Sequence, residues 1–160
     1  MLSDRPQIDD FLSGHRIALV GVSTNPRDFS RAVLRELVGH GYDVVPVRPG
    51  AGEIEGRRAY ERVQDIPGTL DGALLMTPPA VSEQIAHDCA EVHVPRVWFH
   101  RGAGPGSASA TAVAFCREQG IEVVPGRCPL MFLGTHPAFV HRFHAGVLKL
   151  LGRYPRRAAS

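Results

Sequence analysis

Three arginines, one cysteine and a run of hydroxyl-bearing residues stand where a chain of this pattern can meet a phosphorylated ligand. The richest stretch is Gly21-Val22-Ser23-Thr24-Asn25-Pro26-Arg27-Asp28-Phe29-Ser30, between an apolar run at 17–21 and a helical pattern at 30–40. A strand that feeds a helix start gathers free backbone N–H groups and the positive end of the helix dipole, so it attracts anions. Arg27, Arg48 and Arg101 follow the first, second and fourth apolar runs, and each guanidinium can grip a phosphate through two parallel hydrogen bonds. Thr77-Pro78-Pro79 follows the third run; its prolines donate no N–H and make a stiff apolar wall suited to a base or an apolar arm. Cys128 has Arg127 beside it, and a neighbouring positive charge favours thiolate.

These groups need a scaffold, and the apolar pattern supplies one. Strands are expected at 17–21, 43–47, 72–76, 96–99 and 121–124, alternating with helices at 30–40, 80–90, 107–119 and about 137–151. Gly41 is placed to stop the first helix. The helix at 80–90 is read with Val81, Ile85 and Cys89 on one face. Strands almost free of polar residues are buried on both sides, which implies a parallel sheet with helices above and below. Right-handed crossovers make it doubly wound. The expected fold is therefore α/β, a Rossmann-like doubly wound parallel sheet of about five strands with an extra C-terminal helix. A ligand lies across the carboxyl ends of such strands. That edge comprises the 21–30 loop, Val47-Arg48-Pro49, Thr77-Pro78-Pro79, His100-Arg101-Gly102 and Gly126-Arg127-Cys128-Pro129.

With 160 residues, 44% apolar and 21% charged, the chain is read as one domain, 1–160, with an N-terminal extension at 1–14 and a frayed basic tail at 152–160. A net charge of +2 argues for neither nucleic acid nor an anionic membrane as partner. No run approaches the ~18 apolar residues of a spanning helix, and Met1-Leu2-Ser3-Asp4-Arg5-Pro6, with its acid and proline, does not resemble a signal peptide. A cytoplasmic protein is expected. Cys89, Cys116 and Cys128 form neither a disulfide framework nor a metal pair. His141 and His144 could share a face near His136, but no carboxylate or cysteine lies close, and Phe139, Phe143, Val147 and Leu150 read as a packing stripe; no metal site is assigned. Without GxSxG, a P-loop lysine or HExxH, no catalytic residue is assigned either.

Which nucleotide is decided by two departures from the dinucleotide pattern. GxGxxG needs three glycines and only Gly21 is present. Arg48 stands where NAD-binding folds carry an acid for the ribose hydroxyls, which disfavours NAD and suits a phosphorylated ribose. An NADP-dependent oxidoreductase stays open on Arg48, against the missing glycines.

Further motifs run along the chain: the Gly21-x-Ser23-x-x-Pro26-Arg27-x-x-Ser30 loop, Gly41-Tyr42, Pro46-Val47-Arg48-Pro49, Asp65-Ile66-Pro67, Val97-Trp98, Gly120-Ile121-Glu122-Val123-Val124 and Arg127-Cys128-Pro129. In order and spacing they resemble those of the small single-domain CoA-binding proteins, similar to the N-terminal domain of the succinyl-CoA synthetase α subunit. The resemblance covers about 16–129. It implies that Val22 to Ser30, with Gly21, Ser23, Thr24, Asn25, Pro26 and Arg27, wraps the CoA diphosphate. It places Val47, Arg48 and Pro49 near the phosphorylated ribose and Thr77, Pro78 and Pro79 on the adenine or pantetheine side. Arg101, Gly102 and Cys128 complete the expected site. Members commonly carry Asn in place of Arg48 and a glutamate after the Cys-Pro, where this chain reads Leu130-Met131-Phe132-Leu133. The expected function is binding of coenzyme A or an acyl-CoA without catalysis of its own. The alternatives are the NADP enzyme, a non-catalytic subunit of an acyl-CoA synthetase assembly, and a regulatory module that changes partner with CoA; a homo-oligomer or an enzyme partner is allowed.

Overall fold

The computed structural model describes residues 5–102 and 104–133. In chain order the elements are α1 (Arg5–Leu12), β1 (Arg16–Val20), α2 (Phe29–Gly39), β2 (Asp43–Val47), β3 (Gly52–Ile54) and β4 (Arg57–Ala59). A 3₁₀ turn (Val63–Asp65) precedes β5 (Gly72–Leu75), α3 (Pro79–Glu91), β6 (Arg96–His100), α4 (Ala110–Glu118), β7 (Glu122–Arg127) and α5 (Leu130–Leu133). Five strands form one parallel sheet in the order β2-β1-β5-β6-β7, while β3 and β4 make a separate antiparallel hairpin. The α/β, doubly wound expectation holds. The hairpin is a refinement, since the sequence suggests only a loop and a short extended piece there.

Alternation along each strand divides the core into two layers. Ile17 and Leu19 of β1 pack with Val33, Leu34 and Leu37 of α2 and with Trp98 of β6. Ala18 and Val20 face the other way, onto Ile85, Ala86 and Cys89 of α3 and Ala112 and Cys116 of α4. α2 stops as expected at Gly41 (φ +88°), where Gly41 N–H donates to Val38 O and Tyr42 N–H to Leu37 O. On α3, Ile85 and Cys89 are buried, but Val81 is 48% exposed, and the buried residues are Ser82, Ile85, Ala86, Asp88 and Cys89. A strict four-residue step drifts around a helix of 3.6 residues per turn, and here the drift carries Val81 out of the core.

Residues 5–12, at the expected extension, form α1. Ile8, Phe11 and Leu12 are buried, Phe11 meets Trp98 edge-on at 5.3 Å, and Arg96 Nε donates to Asp10 Oδ2 at 2.6 Å. Gly72 makes this possible, because a Cβ there would lie 2.7 Å from the Phe11 ring. The expected helix at 137–151, the tail at 152–160 and His136, His141 and His144 lie outside the described residues. Among those described, no helix is long and apolar enough to cross a membrane.

Candidate functional site

Strand order reverses between β1 and β5, so the loops that leave their carboxyl ends flank a crevice. Gly21 sits at its base with φ +95°, and a Cβ would meet Met76 O at 2.9 Å and Thr77 Cγ2 at 3.0 Å. Only glycine lets the two loops approach so closely.

The loop that follows is stitched by its own side chains. Ser30 Oγ accepts from Ser23 N–H, Ser23 Oγ from Asn25 N–H, and Asn25 Oδ1 from Arg27 N–H. Asp28 N–H donates to Asn25 O. Asp28 caps α2, its Oδ1 accepting from Ser30 N–H at 2.9 Å and Ser30 Oγ–H at 2.6 Å. The hydroxyl bond first, and the amide bond second, hold the Asp28 carboxyl below its ordinary range. The sequence reading expects free amides throughout this junction; the loop instead satisfies most of them itself. Those left uncommitted among the described residues are Val22, Thr24 and Phe29.

Two arginines of α2 hold the loop from behind. Arg31, 8% exposed, donates through Nη1 to Thr24 O at 3.1 Å and Ser23 O at 3.3 Å, and Arg35 Nη2 donates to Pro26 O at 2.9 Å. Both are paired with Glu55 in the β3–β4 turn, Arg31 Nε at 2.7 Å and Arg35 Nε at 2.8 Å. These bonds, Arg31's first, lower the Glu55 pKa. Sequence reasoning missed this trio. The i, i+4 arginines of α2 were visible, but Glu55 lies 24 residues from Arg31 and only the fold joins them.

The other expected residues divide by exposure. Val22 and Val47 are each 3% exposed and belong to the core, and Val47 O already accepts from Gly21 N–H. Arg48 is half-buried and donates to Ala51 O in its own turn at 2.9 Å; Pro49 is exposed. Arg27 and Arg101 are exposed, and among the described residues neither guanidinium has a carboxylate partner. Thr77 is tied into α3 through Ser82 Oγ at 2.8 Å, with Pro78 at the cap and Pro79 at the first helical position. Gly102 is exposed, and Cys128 is half-buried at the end of β7.

His100, at the end of β6, carries a buried Nε2 without a hydrogen-bond partner among the described residues, and its ring lies 5.5 Å from Phe29. Burial lowers its pKa, keeping the imidazole neutral near pH 7. Such an orphaned atom needs a reason, and a ligand at the same strand edge would supply one. At the open end of the β3–β4 hairpin, Ala51, Gly52, Arg58 and Tyr60 border an open groove of about 410 Å³, with the Arg58 guanidinium 4.9 Å from the Tyr60 ring centre. No cluster of three metal-ligating side chains occurs among the described residues.

The chain's likeness to known proteins follows the same elements. The CoA binding domain family matches residues 15–134. The α subunit of acetate–CoA ligase (ADP-forming) II from Pyrococcus furiosus is 32% identical over 91 residues, which are 56% of this chain and 20% of that protein. The chain thus matches about a fifth of that ligase subunit. YneT of Bacillus subtilis, an uncharacterized protein, is 27% identical over 113 residues, 71% of this chain and 81% of its own. A solved hypothetical protein from Pyrococcus horikoshii OT3 superposes with a TM-score of 0.74 at 29% identity, covering 81% of this chain and 89% of that one.

Proposed function

The chain belongs to the CoA-binding domain family, and from that premise we propose that it binds coenzyme A or an acyl-CoA across the carboxyl edge of its sheet. The observation that carries this reading is the braced loop at the β1–β5 crevice. Among the described residues it keeps the amides of Val22, Thr24 and Phe29 uncommitted, with Arg27 on the same loop and Arg101 on the β6 loop. Amides and guanidinium groups together suit a diphosphate. Arg48 would take the ribose phosphate by leaving Ala51 O, and Thr77-Pro78-Pro79 would wall the adenine or pantetheine. The arm then runs past the orphaned Nε2 of His100 toward Cys128. In this reading the chain grips the coenzyme and supplies no catalytic group of its own. The likeness to a ligase α subunit supports a second reading, in which the domain presents CoA to an enzyme partner.

Calorimetric titration with CoA, acetyl-CoA, NADP and ATP tests the proposal. Saturable binding of CoA or acetyl-CoA, with NADP and ATP weaker, is the expected result. Tight NADP binding with silent CoA would replace it with the oxidoreductase reading.

A further inference from the structure

Glu55 occupies a backbone position that local preference gives to another residue. The β3–β4 hairpin turns through two residues, both at positive φ, Glu55 at +48° and Gly56 at +76°. Turns of this kind favour Asn, Asp or Gly at the first place, and a glutamate held there carries backbone strain. What the strain maintains is the double ion pair with Arg31 and Arg35 described above.

A trans peptide is planar, so its C=O and N–H point in opposite directions. Arg31 draws the Ser23 carbonyl toward itself and thereby aims the Thr24 N–H the other way, out of the clamp. Arg31 and Arg35 fix the Thr24 and Pro26 carbonyls in the same manner. Without Glu55 the two guanidinium groups would be close and uncompensated, and would lose their fixed orientation.

We propose that Glu55 is a positioning residue for phosphate recognition: from the hairpin, through Arg31 and Arg35, it sets the course of the 22–28 loop and the direction of the Thr24 N–H that meets a diphosphate. The ligand half of this statement rests on the reading of the chain as a CoA binder; the loop half does not.

Glu55→Asn separates the two halves and spares the fold, since it gives the hairpin the Asn-Gly pair its turn prefers. Hydrogen exchange on the ligand-free protein, read at residues 22–28, should speed up while the urea midpoint of the whole protein stays unchanged. CoA affinity should fall about tenfold or more, the scale of one charge-assisted hydrogen bond lost. Unchanged exchange in the loop would overturn the proposal, as would faster exchange accompanied by undiminished CoA affinity. A matching fall in the global midpoint would reduce Glu55 to a structural role. If the unsubstituted protein itself ignores CoA, the functional reading fails, and the exchange result still decides whether Glu55 holds the loop.

Discussion

At the scale of single residues, Arg27 and Cys128 report on opposite ends of the ligand. Arg27 shares its loop with the amides assigned to the diphosphate, so Arg27→Ala should weaken CoA and dephospho-CoA equally, by about tenfold. Calorimetry on the two compounds checks this; a loss confined to CoA would move Arg27 to the ribose phosphate. The three cysteines differ sharply. Burial drives the Cys89 thiol far above its ordinary range and pushes the Cys116 thiol up to about 11, whereas Cys128 is half-buried at the sheet edge. CoA disulfide should therefore exchange with Cys128, its thiolate attacking one sulfur and releasing one free CoA, and should leave Cys89 and Cys116 unmodified. Intact and peptide mass spectrometry reads the adduct; none at Cys128 would place the thiol end of the ligand elsewhere.

At the scale of elements, two joints carry measurable consequences. α1 lies against the sheet because Gly72 leaves room for the Phe11 ring. Gly72→Ala should cost about 1–3 kcal/mol in urea unfolding through overpacking, with little effect on the distant carboxyl edge. The other joint is the loop brace, which depends on two carboxylates with depressed pKa values, Asp28 and Glu55. A group whose folded pKa lies below its unfolded one contributes fully above the ordinary value of about 4 and loses that contribution as pH falls through the depressed one. Exchange protection of the 22–28 loop, corrected for intrinsic rates, should thus be flat from about pH 5 to 7 and fall below about pH 4. Protection that instead fell between pH 7 and 5 would point to a histidine.

At the scale of the whole molecule, the sheet was legible because its strands are short, apolar and separated by helix-length patterns, a signal that survives any error in the loops. Even the stop at Gly41 could be read, since a C-terminal glycine has a local cause. Harder to read were features that depend on chain folded back from afar. Nothing in the spacing of Arg5 to Leu12 says that Phe11 will rest on Gly72. Glu55 likewise gives no local sign of the arginines it pairs. The site was legible as a place, the edge of the β1 loop, but not as a set of free amides, because Ser23, Asn25, Asp28 and Ser30 consume most of the donors they sit among.

The central claim is that a CoA diphosphate is held by the amides this loop leaves uncommitted among the described residues. Nitrogen-15 amide spectra recorded through a CoA titration test it most directly. The account predicts saturable shifts that are largest at Val22, Thr24 and Phe29. Shifts confined to other parts of the molecule, or none at all at saturating CoA, would contradict it.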